Sequence, residues 1–198
     1  NGSGKSNLLR FLELLAVSAQ GRLGRYIQSL GGMDPIVWDG RADAIRCSLR
    51  TTPVGGSLGP EEYDLELARL GGGSSYKIAS ERLTNSSEMP SGKRDRPFIY
   101  LERHARSAVV FDAEQRRFVT PEEYVSDEET LLSLASGPFS QNPRIPPFQK
   151  ALASIAVYHD LHTDKDAPLR RPVVSRMEER IEPDGQNLVA VLHTLYSN

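Results

Sequence analysis

A phosphate-binding pattern stands at the start of the chain, which opens NGSGKSNLL. Gly4, Lys5 and Ser6 fill the last three positions of the pattern G-x-x-x-x-G-K-[ST]. Counting back along the pattern, we expect its first glycine to lie just before Asn1, outside this sequence. The spacing therefore predicts a loop that binds the phosphates of a nucleotide.

The residue types in this stretch fit that chemistry. Gly2, Ser3 and Gly4 carry small side chains, so successive backbone N–H groups can curl around phosphate oxygens. Lys5 would contact the β- and γ-phosphates, and the Ser6 hydroxyl would ligate Mg²⁺. A helix that follows would point its positive end at the same anion.

The helix expected behind the motif is apolar on nearly every face, through Leu8, Leu9, Phe11, Leu12, Leu14, Leu15 and Val17. A helix that is apolar all round is buried. We therefore expect it to lie under a central sheet, as the helix behind a phosphate loop usually does. The alternative, a Gly/Ser turn that merely caps a helix, does not explain this apolar sequence.

The opening stretch resembles the phosphate loop of the RecF/SMC-like ATPases, the ABC-type heads of chromosome and DNA-repair proteins. In those families the loop commonly has the sequence G-x-N-G-S-G-K-S-N, which the residues from Asn1 to Asn7 match in place. The later segment EPDGQNLVAVLHTL is similar to part of the predicted AAA-type, RecF-like bacterial ATPases. LASGPFSQNPRIPPFQKALASIAVYHDL resembles the region around their Q-loop. The resemblance extends loosely from Asn1 to Leu195.

The resemblance implies an α/β fold: a P-loop NTPase, as the N-terminal lobe of an ABC/SMC-type head with an antiparallel β-meander subdomain. It implies ATP and Mg²⁺ as ligands, Lys5 as the catalytic residue, and Ser6 and Gln141 as metal ligands, Gln141 being the Q-loop glutamine. It also implies two partners, DNA and a second ATPase head in a homodimer. The expected nucleotide-binding residues are Asn1, Gly2, Ser3, Gly4, Lys5, Ser6 and Asn7.

Two segments resemble the Walker B and signature motifs of ATPases. Residues 108–112, AVVFD, fit the apolar string and acid of a Walker B strand, but the charged residues that follow favour a hairpin turn at Asp112. Residues 134–137, LASG, resemble a signature, but Pro138 interrupts the expected helix start. We therefore expect a portion of a longer ATPase, trimmed at both ends, with negligible hydrolysis by itself.

The remaining pattern divides this single incomplete ATPase domain, 1–198, into three parts. The phosphate loop and its helices occupy residues 1–40. An antiparallel β region occupies residues 41–125, and a Q-loop-like and helical region occupies residues 126–198. The β region is predicted from apolar residues that alternate with polar ones. In its third strand, Tyr76, Ile78 and Ser80 occupy every second position, so we expect them on the same face.

Composition narrows the class of protein. The net charge of −2 gives no global excess of basic residues for nucleic acid, and the single cysteine, Cys47, fits a reducing compartment. No apolar run approaches the length of a membrane span, so we expect a cytoplasmic protein without a membrane partner.

Two other functions stay open. The first is a small-molecule kinase that uses the same loop, with Arg170, Arg171, Arg176 and Arg180 as its lid. The second is an interaction module whose β-meander binds DNA or a protein while the nucleotide is structural. Salt-dependent DNA binding that ATP does not change would favour the second.

Overall fold

The computed structural model describes residues 5–37, 42–57, 59–71, 74–86, 97–105, 107–121, 125–135, 140–158, 164–167, 170, 172, 177–182 and 185–197. The chain forms two compact units, Asn1–Ile155 and Ala156–Asn198. The boundary between them lies within the segment that the sequence assigns to the Q-loop-like and helical region.

The first unit is built on one antiparallel sheet of six strands, whose spatial order follows the chain. The strands are β1 (Ala44–Arg50), β2 (Glu61–Arg69), β3 (Tyr76–Asn85), β4 (Phe98–His104), β5 (Ser107–Asp112) and β6 (Arg117–Val119). Each strand pairs with the next, so that Cys47 lies opposite Leu65 and Phe111 opposite Phe118. The meander predicted for residues 41–125 is present.

The predicted fold class, an α/β P-loop NTPase, is wrong. Such a fold has a parallel sheet, and every strand pair in the described part of the chain is antiparallel. Parallel neighbours need a crossover of a dozen or more residues, usually a helix, between them. The described residues between β1 and β6 contain no helix. The GKS motif predicted this fold class by association, because the motif itself specifies only a loop and a helix start.

A β-bulge changes which residues of β3 face the core. The pairing of β2 with β3 shifts between Glu66 and Leu67, so Ala79 is an extra residue on β3. Beyond the bulge, Glu81 and Leu83 are buried. Ser80, expected on the same face as Ile78, instead donates a hydrogen bond to Glu66, at 3.4 Å.

Four helices share a core with the inward face of the sheet. They are α1 (Lys5–Ala19), α2 (Leu23–Ser29), α3 (Leu131–Ala135) and α4 (Ile145–Ala153). The rings of Tyr63 on β2 and Phe148 on α4 lie 5.8 Å apart. The amide of Gln149 donates to the Ala19 carbonyl at 2.6 Å, and that of Gln20 to the Ala153 carbonyl at 2.7 Å. These bonds hold α4 against the end of α1.

Helix α1 is buried along only part of its length. Leu14 and Leu15 lie in the core, whereas Leu8 and Leu9, in the first turns, are 59% and 40% exposed. The prediction that α1 is buried all round is therefore wrong for its N-terminal turns. Those turns are accessible to a ligand.

The second unit contains α5 (Leu188–Ser197), which begins within the segment EPDGQNLVAVLHTL. The buried side chain of Asn187 accepts a hydrogen bond from the Glu182 amide at 2.7 Å and donates one to the Arg180 carbonyl at 2.9 Å. No described helix is both long and apolar enough to span a bilayer.

Candidate nucleotide-binding site

The described part of the phosphate motif forms the first turn of α1. Lys5, Ser6 and Asn7 begin this helix of 15 residues, and all three are exposed. The predicted ligands Asn1, Gly2, Ser3 and Gly4 lie outside the described residues. Leu14 and Leu15 anchor the other half of α1 in the core, and the exposed first turn extends from that anchored half.

The chemistry of this turn suits an anion. The first amides of a helix have no acceptor within the helix, and the helix dipole adds a partial positive charge at the same end. Lys5 adds a full positive charge, and Ser6 adds a hydroxyl of the kind that ligates Mg²⁺ beside a triphosphate. A phosphate group bound here would meet amides, a cation and a metal ligand together.

A cleft of about 380 Å³ opens beside the first turns of α1, and we refer to it as the α1 cleft. Its residues are Asn7, Arg10, Phe11, Leu14, Tyr26, Leu30, Pro35, Ile36, Val37, Ala42, Ala44, Ile45 and Cys47. The four from α1 are spaced as one stripe of a helix, i, i+3, i+4 and i+7. The cleft therefore runs along α1 from its exposed first turn toward the core.

A hydrogen bond between two helices and a buried thiol from the sheet form part of the walls of the α1 cleft. The Tyr26 hydroxyl donates a hydrogen bond to Glu13 at 2.9 Å, which joins α2 to α1. Cys47 contributes a buried thiol from β1, and burial raises its pKa to about 11. The thiol therefore stays protonated at neutral pH and behaves as a small apolar group.

A larger cavity, of about 810 Å³, lies around α2, beyond the far end of α1. Its walls carry charges of both signs, including Arg22, Arg25, Glu128 and Glu129. Small-molecule sites are mostly apolar with a few polar groups. The α1 cleft fits that description better, and it adjoins the phosphate motif.

Gln141, predicted as a metal ligand, lies beside the hairpin of β5 and β6. Its carbonyl accepts a hydrogen bond from the Ala113 amide at 3.0 Å, and its neighbour Asn142 donates to the Phe111 carbonyl at 3.1 Å. Among the described residues, no hydrogen bond joins Gln141 to Lys5 or Ser6. The structure thus brings together Lys5, Ser6 and Asn7 on one turn and does not link Gln141 to them.

Asp112 confirms the turn predicted in place of a Walker B acid. Its buried carboxylate accepts hydrogen bonds from the amides of Glu114 and Gln115, both at 2.8 Å. These bonds close the connection between β5 and β6, where Arg116 adopts a positive φ of 51°. Within the described residues, no group of three or more His, Cys, Asp or Glu side chains is placed to hold a metal ion.

The buried acid Glu81 was not predicted from the sequence. Its carboxylate accepts hydrogen bonds from the Leu131 amide at 2.6 Å and the Leu132 amide at 2.8 Å. Buried acids with perturbed pKa values often belong to functional sites. Here, however, the hydrogen bonds tie β3 to the start of α3. The bulge at Ala79 is what turns this side chain inward, and the alternation of residue types gives no sign of it.

Comparisons with protein-family models, with curated proteins and with solved structures find no match to this chain.

Proposed function

We propose that the first turn of α1 binds the triphosphate of ATP together with Mg²⁺, as part of a Mg²⁺-dependent ATPase. The observation that carries the proposal is the exposure of Lys5, Ser6 and Asn7 on the first turn of a long, anchored helix. Binding at this turn depends on local amides, an ammonium group and a hydroxyl. It does not require a parallel sheet.

The identity of the ligand follows from the motif. A helix start alone would accept many anions. The sequence NGSGKSN adds the lysine and serine of a triphosphate site, and its likeness to the RecF/SMC-like loop favours ATP. The same likeness makes DNA and a second ATPase head candidate partners.

Turnover by this chain is expected to be negligible. Hydrolysis needs a carboxylate that helps hold the metal and polarises the attacking water. Asp112, the acid whose context most resembles that role, is occupied by the amides of its own turn. Lys5 and Ser6 therefore supply binding, and an acid from elsewhere would complete the catalytic site.

The test is the affinity for ATP, measured by calorimetry with and without Mg²⁺. We expect Lys5→Ala to weaken binding of Mg²⁺-ATP by at least about tenfold, a loss of about 1.4 kcal/mol. Ser6→Ala should reduce the gain in affinity that Mg²⁺ provides. Lys150→Ala, which removes an exposed lysine from α4, is the matched control and should leave binding unchanged.

Two results would contradict the proposal. One is the absence of ATP binding by the unmodified chain, and the other is equal affinity in Lys5→Ala. Rapid ATP turnover that Lys5→Ala abolishes would instead show that the expectation of negligible hydrolysis is wrong.

A further inference from the structure

The α1 cleft and the proposed phosphate site share one helix. Asn7 belongs to the same first turn as Lys5 and Ser6, and it also lines the cleft. Phe11 lies five residues beyond Ser6, a rise of about 7.5 Å along the axis of α1. The cleft therefore starts at the phosphate end and continues along the helix, within the length of one nucleotide.

The lining of the α1 cleft suits a largely apolar group. Phe11, Leu14, Ile36, Val37 and Ile45 contribute apolar side chains. The volume of about 380 Å³ lies within the range of about 300–1,000 Å³ that is usual for small-molecule sites.

Polar groups lie mainly at the end of the cleft nearest the phosphates. Asn7 offers an amide, and Arg10, one turn later, offers a guanidinium group. An amide can both donate to and accept from the edge of a base or a ribose hydroxyl. Farther along the cleft, the Tyr26 hydroxyl is already engaged by Glu13, so it leaves an aromatic wall rather than a free donor.

We propose that the α1 cleft binds the purine base and ribose of the nucleotide whose phosphates bind at Lys5 and Ser6. This inference rests on the proposed function and adds the site for the nucleoside. The apolar wall excludes water from the faces of the base, and Asn7 stands at the junction between the ribose and the phosphates. The base is held chiefly by apolar burial, which is worth about 25 cal/mol per Å² of surface removed from water.

Inorganic tripolyphosphate separates this inference from the proposed function, because it carries the phosphates without a base. Wild-type protein should bind Mg²⁺-ATP at least about tenfold more tightly than Mg²⁺-tripolyphosphate. Ala42→Leu fills the cleft from a residue that packs against the core. It should reduce this preference to less than about twofold and leave the affinity for tripolyphosphate unchanged.

Two further variants support the comparison. Ala151→Leu makes the same change at an exposed position of α4 and should alter neither affinity. Phe11→Ala widens the cleft instead of filling it, and it should also lower the affinity for ATP alone. It serves as the second variant if Ala42→Leu does not fold.

Equal affinity for ATP and tripolyphosphate, with no effect of Ala42→Leu or Phe11→Ala, would overturn the nucleoside site and leave the phosphate site standing. Failure of wild-type protein to bind either ligand would overturn both.

Discussion

The hydroxyl of Tyr63 donates a hydrogen bond to the carboxylate of Glu81, 3.0 Å away, where the two side chains are 0% and 1% exposed. The amides of Leu131 and Leu132 donate to the same carboxylate. One buried acid thus joins β2, β3 and the start of α3. Since an unpaired buried carboxylate is very costly, these three donors are what make the position tolerable.

Removing the Tyr63 hydroxyl should measurably destabilise the first unit. Tyr63→Phe preserves the ring that contacts Phe148 and deletes the hydroxyl that donates to Glu81. We expect a loss of about 1.5–3 kcal/mol in the free energy of unfolding, the range for hydrogen bonds to charged groups. Urea unfolding measures it. Tyr26→Phe, which deletes a donor to the less buried Glu13, should cost less, and an equal loss would contradict the role given to burial.

The stability of the first unit should also depend on pH through Glu81. Burial raises the pKa of this carboxyl, and the amides of Leu132 and Leu131 and the Tyr63 hydroxyl offset part of the rise. The folded state therefore binds the proton more tightly than the unfolded chain, in which a glutamate has a pKa of about 4.3. The resulting stabilisation is fully present below that value and is lost as the pH rises through the folded pKa.

Glu81→Gln isolates this contribution because glutamine does not titrate. The free energy of unfolding of wild-type protein, minus that of Glu81→Gln, should be largest at about pH 4 and should fall toward neutral pH. Other titrating groups affect both proteins and cancel in the difference. A difference that grows with pH would mean that the three donors and the positive charge of Arg103 together outweigh burial and lower the folded pKa.

The position of Glu81 shows what the sequence could and could not predict. Tyr63, Leu65 and Leu67 alternate with polar residues in the sequence and are buried in the core, because side chains on a regular strand alternate between two faces. The bulge at Ala79 reverses that alternation from Ser80 to Leu83, and a single extra residue leaves no signal in residue type. Ser80 was therefore predicted inward, and Glu81 was overlooked.

The candidate site likewise has one part that depends on local sequence and another that depends on contacts between residues distant in the chain. The start of α1 at Lys5 was predictable, since glycines followed by an apolar run indicate a helix start. The α1 cleft was not, because residues as distant as Asn7 and Cys47 meet there only after the chain folds. The fold class was wrong for a related reason: a loop motif contains no information on strand direction.

Arg103 should be more important to stability than the acid with which it forms an ion pair. Its guanidinium group donates to the carbonyls of Ser126 and Glu129, both at 2.9 Å, and contacts Asp127 at 3.2 Å. Arg103→Met should cost up to about 1–3 kcal/mol for each of these two part-buried carbonyls that loses its donor. Chemical denaturation of the variant checks this loss.

Asp127→Asn is the control for the ion pair itself. The side chain of Asp127 is 55% exposed and that of Arg103 is 2% exposed, so water screens the charge on one partner only. We expect a loss below about 1 kcal/mol, as for other exposed pairs. A loss as large as that of Arg103→Met would show that the ion pair, and not the two carbonyls, holds residues 126–129 against β4.

The connection between β1 and β2 packs against α4 at Gly55. A Cβ atom on Gly55 would lie 2.2 Å from the Cβ of Pro147, and the residue has a φ of +58°. Gly71 has nearly the same φ, +59°, but its Cβ would have no neighbour within 4 Å. The two glycines therefore separate backbone strain from steric overlap.

Gly71→Ala should lower the free energy of unfolding by about 1–2 kcal/mol, the cost of a left-handed conformation for a residue with a Cβ. Gly55→Ala carries the same strain and must also displace Pro147 or its own loop, which should add about 1–3 kcal/mol. Denaturant unfolding of the two variants measures the difference. Equal losses would mean that the β1–β2 connection can move away from α4 without cost. The structure argues against such a movement, since the Arg144 guanidinium donates a hydrogen bond to the Gly56 carbonyl at 2.8 Å. Because that hydrogen bond holds the next residue of the loop in place, we expect the overlap with Pro147 to lower the free energy of unfolding of Gly55→Ala by its full amount.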